Sequence, residues 1–290
     1  MSDKVGNRVS GLQRPEPNQS RIAQGDPTTS SSASELRSTL FIGSVEKAFK
    51  VLQAFNGPRR HMTLADICRA TGLDRSATQR LAYTLVELGY LRRIPDTRNY
   101  QLAPRLLQFS YDYIRANELI DSASPYLLDI SRTVGETANL HELDGPDIIF
   151  LARFPGQHLI NVDITVGSRL PAFFTASGTA ILSRQPEAYR REILARTDLR
   201  KLTPSTEIDP EKLLHRVQLA AERGYAIVKN ETVPGDISVA APVVNLRGDT
   251  VCAVNIAAPT TRWTLERAEA ELVQHVQIAA TSISKSRFNR

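Results

Sequence analysis

Apolar residues recur every three or four positions in the first third of the chain, which is the spacing of an amphipathic helix. One such stretch begins after Ser44, is interrupted at Gly57-Pro58 and predicts a first helix. A short second helix is predicted between Thr63, which forms a capping-box pattern with Asp66, and the stop signal Thr71-Gly72. The apolar positions of these two helices are Val45, Ala48, Phe49, Leu52, Phe55, Leu64, Ile67 and Cys68.

A third helix is predicted to end at Gly89, and its two faces differ in character. The apolar face, with side chains spaced three or four apart, comprises Leu73, Ala77, Leu81, Leu85 and Leu88. The opposite face carries mainly long or hydroxylated donors, namely Arg75, Ser76, Gln79, Arg80 and Tyr83, with Thr78 at its edge. The first face is expected in a core and the second at the surface.

A β-hairpin is predicted directly after the third helix. Residues 90–94 form its first strand, residues 95–98 its turn and residues 99–102 its second strand. Helix, helix, turn, helix and hairpin is the order of a winged helix-turn-helix, which we predict over residues 41–103 with Arg98 at the tip of the wing. An amphipathic linker helix is predicted to follow over residues 104–121, beginning at Pro104.

The rest of the chain divides into a polar tail and a larger domain. Residues 1–40 are rich in Ser, Pro, Gly, Gln and Asn, which predicts a disordered tail and leaves open a contact between its arginines and phosphates. From Thr137 onwards short apolar runs alternate with turn residues, and they predict one α+β domain over residues 122–290. The predicted strands are 148–153, 159–166, 226–229, 238–245 and 250–258, and the predicted helices are 122–133, 176–183, 189–195, 210–223 and 265–284.

Charge separates the two predicted domains. Of the net charge of +5, residues 41–115 carry +6, the tail carries +1 and residues 116–290 carry −2. A basic excess confined to one segment indicates a polyanionic partner. No stretch approaches the roughly 20 apolar residues of a membrane span, and no signal peptide is recognisable at the start. We therefore expect a cytoplasmic protein without a membrane partner.

The polar face of the third helix has the chemistry of a helix that reads double-stranded DNA. Arg can donate two hydrogen bonds to guanine and Gln can pair with adenine when the helix lies in the major groove. We predict that Arg75, Gln79 and Arg80 face the bases, that Ser76 and Thr78 hold phosphates, and that Arg98 reaches phosphates or a narrow minor groove. Two alternatives remain open: a merely solvated helix face, and a winged helix that binds protein.

Signatures of an enzyme or a metal site are missing. The sequence contains no Cys-x-x-Cys, His-Glu-x-x-His, phosphate loop or Gly-x-Ser-x-Gly pattern, and its five histidines are dispersed. Cys68 and Cys252 lie in apolar contexts and are expected to be reduced. We therefore predict no cofactor, no catalytic residue and no metal ligand. An enzyme fused to a winged helix and a protein-binding adaptor remain the rival hypotheses.

Short motifs spread between Ile42 and Ser284 form one pattern. In the first part of the chain they are Ser44-Val45-Glu46-Lys47-Ala48, residues 71–81 and Leu88-Gly89-Tyr90-Leu91. In the second part they are residues 166–171, 176–180 and 223–226, and Gly235 with Ala240-Ala241-Pro242-Val243. In order and spacing these segments resemble the isocitrate lyase regulator (IclR) family of bacterial transcription factors.

The resemblance implies a GAF-like second domain that binds a small organic acid or aromatic metabolite. It also implies a homodimer, or a dimer of dimers, on a palindromic operator. The protein would then be a transcription regulator, either repressor or activator, that responds to this effector. Position by position, the resemblance places the effector pocket at Leu159, Leu170, Ala176, Ser177, Val228, Asp236, Ser238, Asn255 and Ala257.

One part of this pocket also follows from chemistry. Ser177 lies at the start of a predicted helix, where free backbone N–H groups and the helix dipole favour a carboxylate. We therefore predict that the backbone of Ala176 and Ser177 binds the acid and that Ser238 and Asn255 fix the rest of the ligand. The apolar walls are expected from Leu159, Leu170 and Val228. The alternative is that Ser177 only caps its helix and that the other two residues bond within their strands.

Overall fold

The structure is a computed structural model that describes residues 40–56, 60–157 and 164–286. Nine helices and nine strands lie within these three ranges. The tail predicted over residues 1–40 falls outside them except for its last residue, and Gly57-Pro58 and Leu159 fall outside them as well.

The N-terminal domain is a three-helix unit with a three-stranded antiparallel sheet in the order β1-β3-β2. Its elements are α1 (Gly43–Gln53), β1 (Met62–Thr63), α2 (Leu64–Thr71), α3 (Arg75–Glu87), β2 (Leu91–Arg93) and β3 (Asn99–Leu102). The Thr63 hydroxyl accepts from the backbone N–H of Asp66 at 3.2 Å, and Gly72 ends α2 with a φ of 68°. The predicted winged helix-turn-helix order is confirmed.

The apolar faces of this domain differ from the prediction. Of the residues predicted for the buried face of the first helix, Leu52 and Phe55 pack into the core together with Val51, whereas Val45 and Phe49 are exposed. The spacing alone does not show how far along the helix the core extends. At the end of α3, Leu88 is also exposed, since it lies just past the last helical residue.

The linker predicted as one helix over 104–121 is broken. A 3₁₀ turn at Pro104–Leu106 leads into α4 (Leu107–Ala116), and α5 (Glu118–Val134) begins two residues later. The side chain of Asn117 accepts hydrogen bonds from the backbone N–H groups of Leu119 at 3.1 Å and Ile120 at 3.3 Å. This cap satisfies the first donors of α5, so the chain changes direction at Asn117.

The C-terminal domain is built on one antiparallel six-stranded sheet in the order β6-β5-β4-β9-β8-β7. The strands are β4 (Thr137–Asp144), β5 (Asp147–Phe154), β6 (Arg169–Pro171), β7 (Ala226–Lys229), β8 (Asp236–Val244) and β9 (Thr250–Pro259). The helices that follow α5 are α6 (Ala176–Leu182), α7 (Glu187–Arg196), α8 (Pro210–Arg223) and α9 (Leu265–Ser284). One sheet face packs on α5 and α9, and the other packs on α6, α7 and α8.

The predicted α+β fold class is confirmed, and most predicted elements of this domain are present, but β4 and β6 were missed. Strand β4 was hidden because Asn139 and His141 interrupt its apolar residues, although both side chains are buried. The strand predicted over 159–166 is wrong in its described part, since residues 164–166 are not a strand.

Candidate nucleic-acid interface and ligand cavity

The exposed face of α3 presents the predicted donors. Arg75, Ser76, Gln79 and Arg80 are exposed, and neither arginine forms an ion pair within 4 Å in the part of the chain that the structure describes. The helix begins at Asp74, whose carboxylate accepts from the backbone N–H of Ala77 at 2.8 Å. The guanidinium groups on this face are therefore available to an external partner.

The prediction that Thr78 holds a phosphate is wrong. Its side chain is fully buried, and its hydroxyl donates to the backbone carbonyl of Asp74 at 2.8 Å. The packing of α3 against α1 and α2 turns this position inward, together with Ala82 and Leu85.

The wing adds further positive charge beside α3. Arg98 is exposed in the turn between β2 and β3, where Asp96 adopts a φ of 57°. Two exposed arginines that were not predicted as DNA contacts, Arg92 and Arg93, lie on β2. The Arg93 guanidinium lies 5.8 Å from the centroid of the Tyr100 ring, which orients this side chain along the wing.

A cavity of about 100 Å³ lies in the C-terminal domain between the sheet and α6. Side chains alternate between the faces of a strand, so the neighbours of the apolar residues that pack on α5 and α9 point to this side. Several of those neighbours are polar: Asn139, His141, Arg153, Asp236, Ser238 and Asn255 line the cavity.

Most of the predicted pocket residues surround this cavity. Those that line it are Leu170, Ser177, Val228, Asp236, Ser238, Asn255 and Ala257. Ala176 does not, because its side chain points away from Ser177 and is fully buried in the core beneath α6. Three lining residues that sequence reasoning missed are Asn139, His141 and Arg153. Polar residues at alternate positions of an otherwise apolar strand were the available signal for the first two.

A row of hydrogen bonds crosses four strands at the floor of the cavity. Arg153 donates to the Asn139 side-chain oxygen at 3.2 Å, and Asn139 donates to that of Asn255 at 2.8 Å. Asn255 in turn donates to the Ser238 hydroxyl at 2.5 Å and to the carbonyl of Val239 at 3.2 Å. Both groups of the Asn255 amide are therefore engaged within the protein, as the alternative interpretation of this residue expected.

Two acidic residues of the cavity lining are already paired with arginines. The Glu136 carboxylate accepts from Arg262 at 2.6 Å and from the Trp263 indole at 2.7 Å. Glu231 forms an ion pair with Arg216. Both carboxylates are thus neutralised by a partner, and neither is positioned to neutralise a further cation.

Arg153 also lines the cavity, but it forms no ion pair with a carboxylate among the described residues. Its guanidinium has five N–H donors, of which one is used by Asn139, and no carboxylate of the described chain lies within 4 Å. Burial lowers the pKa of Arg153, and the charge of Asp236 opposes this effect electrostatically. Burial raises the pKa of Asp236 to about 7, and the positive charge of Arg153 opposes this rise. The site therefore combines a partly desolvated cation with an acid that is easily protonated.

His141 and Ser177 join the sheet to α6. The Nδ1 atom of His141 lies 2.7 Å from the Ser177 hydroxyl oxygen, and its ring meets the Phe150 ring edge-on with centroids 4.1 Å apart. Burial, with a smaller effect of Arg153, lowers the pKa of His141 to about 3, so the ring is neutral at physiological pH. Its Nε2 atom is buried and has no hydrogen-bond partner among the described residues.

Ser177 does not cap α6, contrary to the alternative interpretation of this residue. Thr175, rather than Ser177, caps this helix by accepting from the backbone N–H of Gly178 at 3.0 Å. The helix packs tightly here, because a Cβ atom added to Gly178 would lie 2.2 Å from the carbonyl oxygen of Ala172. Ser177 is therefore held beside His141 by the close packing of α6 on the preceding turn.

Comparison with known proteins identifies the family. The model of the IclR helix-turn-helix domain matches residues 44–95, and that of the bacterial transcriptional regulator IclR C-terminal domain matches residues 111–285. The chain belongs to the IclR family. It is a DNA-binding transcription regulator, as the resemblance implied.

Relatives of this IclR-family regulator cover nearly its whole described length. The Pca regulon regulatory protein of Pseudomonas putida is 34% identical over 86% of this chain and 85% of its own. The p-hydroxybenzoate hydroxylase transcriptional activator of Acinetobacter baylyi is 29% identical over 80% of this chain and 86% of its own. The crystal structure of a transcriptional regulator from Rhodococcus sp. RHA1 has a TM-score of 0.71 and 33% identity, covering 84% of this chain and 98% of that one.

The described residues of the regulator carry neither a helix that could span a membrane nor a cluster of metal ligands. None of its helices there is both long and apolar enough to cross a membrane. No group of three or more His, Cys, Asp or Glu side chains in those ranges could hold a metal ion, and Cys68 and Cys252 are free thiols.

The raised pKa of Asp236 predicts a pH-dependent effect of its replacement. The folded protein holds this proton up to a pH of about 7 and the unfolded chain only up to about 3.8, so the associated stability is lost as pH rises between these values. Asp236→Asn mimics the protonated acid. We expect it to leave the free energy of unfolding unchanged near pH 4 and to raise it by roughly 1–3 kcal/mol near pH 8.

Urea denaturation at the two pH values measures this difference, with Asp129→Asn on the exposed face of α5 as the matched control. The contribution of His141 has the opposite sign, since it is lost as pH falls from 6.5 towards 3, and it cancels between variant and parent. An Asp236→Asn effect of equal size at both pH values would contradict the prediction.

Proposed function

We propose that this regulator is a cytoplasmic dimer that binds a palindromic operator and changes its operator affinity when a small organic acid occupies the cavity. The observation that carries the proposal is Arg153. A cation that lines a partly enclosed cavity, donates one hydrogen bond and has no carboxylate within 4 Å in the described chain is suited to bind an anion.

The rest of the cavity favours a carboxylate on an apolar body. Ile148, Phe150, Leu170 and Val228 add apolar surface to the lining beside the polar row. A ligand with an apolar body would bury its surface there, while its carboxylate would take the free donors of Arg153. The Acinetobacter baylyi relative is named as the transcriptional activator of p-hydroxybenzoate hydroxylase, which supports an aromatic acid as one form of this ligand.

The anchor that we propose for the acid replaces the one expected from sequence. Ala176 lies off the cavity, Thr175 uses the backbone N–H of Gly178, and the Ser177 hydroxyl is engaged with His141. Arg153 supplies a full positive charge and at least two parallel donors, which is the geometry that a carboxylate accepts best. Asn139 accepts a hydrogen bond from the guanidinium and is itself held by Asn255.

The pair of Ser177 and His141 does not favour the rival hypothesis of an enzyme. A general base works best when its pKa lies near the operating pH, whereas that of His141 is about 3. In a nucleophile triad a carboxylate orients the second ring nitrogen, but Nε2 of His141 has no partner among the described residues. We therefore propose that the acid is bound and released unchanged, without a cofactor or a metal.

A contact between the linker helix and the C-terminal domain supports a route from the cavity towards the DNA-binding domain. Tyr113 on α4 donates to the carboxylate of Glu142 at 3.0 Å. Glu142 directly follows His141 in β4, and a register shift in the pairing with β5 lies between Leu140 and His141. Such an irregularity lets a strand bend locally, so a ligand against His141 can move Glu142 and with it the linker helix.

Exposed apolar side chains on α1 and α4 support a dimer. Val45 and Phe49 are each at least half exposed on α1, as are Leu107, Phe109 and Tyr111 on α4. Exposed apolar groups concentrated on these two helices mark a contact surface. A second copy of the chain is the occupant that fits, because each chain offers one DNA-reading helix and a palindrome requires two.

The role of Arg153 predicts the loss of ligand binding in one variant. In thermal-shift assays on the full chain, at least one acid among benzoate, 4-hydroxybenzoate, phenylacetate, 4-hydroxyphenylacetate, butyrate and 4-hydroxybutyrate should raise the melting temperature. Arg153→Met should abolish that shift, because it removes the charge and the donors. Arg132→Met, on the exposed face of α5, is the control. Full retention of the shift in Arg153→Met would rule out this anchor.

The exposed face of α3 predicts altered operator recognition. Gln79→Ala and Arg80→Ala should each weaken binding to a site selected from random-sequence DNA by roughly 1–3 kcal/mol and relax its sequence preference. Arg98→Ala should weaken selected and unselected DNA alike and lower the slope of affinity against salt by about one unit.

Fluorescence anisotropy at several salt concentrations separates these effects, with Arg132→Ala as a control of equal charge change. Parental affinity in both α3 variants would show that this face does not read the bases. An unchanged salt slope for Arg98→Ala would show that the wing does not touch DNA.

The exposed apolar residues predict the effect of a charge at the dimer contact. Phe49→Asp combined with Leu107→Asp should convert the protein to a monomer, because a carboxylate buried in an apolar contact lacks a partner. Light scattering after size-exclusion chromatography gives the mass directly. The control is Leu246→Asp, since Leu246 is also exposed, at 77%, but lies in the C-terminal domain. A double variant with the mass of the parent would place the dimer contact elsewhere.

A further inference from the structure

We infer that Asp236 couples occupation of the cavity to the uptake of one proton, so that an acid binds as a carboxylate at Arg153 while Asp236 becomes protonated. This inference rests on the proposed function, because it takes Arg153 as the anchor of the acid. It adds a residue that makes the response of the regulator to its ligand depend on pH. The observation that carries it is the balance of charge in the cavity lining.

Most charges of the lining already cancel in pairs. The charged side chains that line the cavity are those of Glu136, Arg153, Glu231, Asp236 and Arg262. Glu136 pairs with Arg262, and Glu231 pairs with Arg216 of α8. The other two lining groups, one cation and one acid, form no ion pair within 4 Å in the described part of the chain. Any change in the charge of the cavity therefore falls on Arg153 and Asp236.

A bound carboxylate upsets the balance between these two groups. By themselves, the positive charge of Arg153 and the negative charge of an ionised Asp236 cancel. A ligand carboxylate adds a second negative charge to a partly enclosed space that offers one unpaired cation. An uncompensated charge is costly to hold away from water, and a protein group can remove it by binding a proton. Protonation of Asp236 leaves Arg153 and the ligand as a neutral pair.

The carboxyl group of Asp236 is free to take this proton. Asp236 is the first residue of β8 and lies two residues before Ser238 on the same face of the strand, so both side chains line the cavity. Its backbone carbonyl accepts from the N–H of Asn230 at 2.8 Å. Its side chain accepts no hydrogen bond from any described residue. Hydrogen bonds to a carboxylate would favour the ionised form, and Asp236 lacks them.

Burial already brings Asp236 close to protonation at physiological pH. It raises the pKa of this acid to about 7, and the positive charge of Arg153 opposes the rise. When a ligand carboxylate neutralises Arg153, this opposing effect is lost and the pKa of Asp236 rises further. The complex then holds the proton over a pH range in which the free protein does not. The difference is one proton taken from the solvent with each ligand.

The other ionisable groups around Asp236 do not supply this behaviour. His141 of β4 faces the same cavity, but burial lowers its pKa to about 3, far below the range in question. The remaining charged groups on the elements packed around β8 are Glu136, Glu231, Lys229, Arg153, Arg216 and Arg262. The two glutamates are each held by an arginine, and the others are cations. Asp236 is therefore the group that can bind a further proton.

An Asp236 that stayed ionised would have a different effect. It would compete with the ligand for Arg153, and it would favour a ligand that carries its own ammonium group. The acid would then bind without uptake of a proton, and its affinity would not change between pH 6 and pH 8. Proton uptake on binding is therefore the quantity that separates the two roles of this residue.

Calorimetric titration of the full chain in buffers of different ionisation enthalpy measures the uptake, because the observed heat changes with the buffer in proportion to the protons bound. The probe is the acid with the largest thermal shift among benzoate, 4-hydroxybenzoate, phenylacetate, 4-hydroxyphenylacetate, butyrate and 4-hydroxybutyrate. Their carboxyl groups are ionised from pH 6 to pH 8. We expect uptake of about one proton per ligand near pH 8, almost none near pH 6, and about tenfold weaker binding at the higher pH.

Asp236→Asn replaces the acid with a neutral amide of nearly the same shape. It should bind the probe at both pH values with the affinity of the parent near pH 6, to within about threefold, and it should take up no proton. The matched control is Asp129→Asn, which makes the same charge change on the exposed face of α5 and should keep the uptake of the parent. The uptake by the parent is itself decisive and needs no variant, should Asp236→Asn fail to fold.

The outcomes for this inference and for the proposed function are distinguishable. If the acid binds and Arg153→Met removes it, but the parent takes up no proton near pH 8, the proton-linked role of Asp236 is overturned and the anchor stands. If the uptake persists in Asp236→Asn, the proton binds elsewhere and the role of Asp236 is also overturned. If no acid of the panel binds at either pH, both proposals are overturned together.

Discussion

The row of hydrogen bonds that crosses four strands from Arg153 to Ser238 is the interaction on which the ligand cavity depends. Asn139 and Asn255 lie at the centre of the sheet, where an unsatisfied amide would be costly. Each uses the other as a partner, and Asn255 also reaches Ser238 and two backbone carbonyls. The row exists only while β4, β5, β8 and β9 keep their register, because a slip of one residue would move its members to the opposite face.

Because these polar side chains already bond to one another, few polar groups of the cavity remain free to select a ligand. Glu136 and Glu231 are neutralised by Arg262 and Arg216, so they compete little for the remaining cation. The protonation of Asp236 near neutral pH further reduces the negative charge that faces Arg153. The cavity is left with one strong anion-binding group and one neutral pair, which is a small set of free groups for a ligand to match.

The position of the cavity also makes it suitable for control of the DNA-binding domain. Strand β4 contributes His141 to the cavity and, at the next residue, Glu142 to the bond with Tyr113 of α4. Helix α4 ends where Asn117 begins the capping of α5, so the linker meets the sensor domain at a defined break rather than through a continuous helix. A small displacement of β4 can therefore change the direction of α4, which carries part of the exposed apolar surface.

The sequence by itself determined the features that depend on neighbouring residues along the chain. The capping box of Thr63 and Asp66, the left-handed Gly72 and the boundaries of α8 and α9 follow from local hydrogen bonds and backbone preferences. Most of the pocket residues that the family resemblance named also line the cavity. Only the tertiary structure decided that Val45 and Phe49 of α1 stay exposed, that Thr78 points inward, and that Arg153 lines the cavity without a carboxylate within 4 Å among the described residues. These depend on contacts between elements far apart in sequence, because the burial and pairing of a side chain are set by the surfaces packed against it and not by its own neighbours.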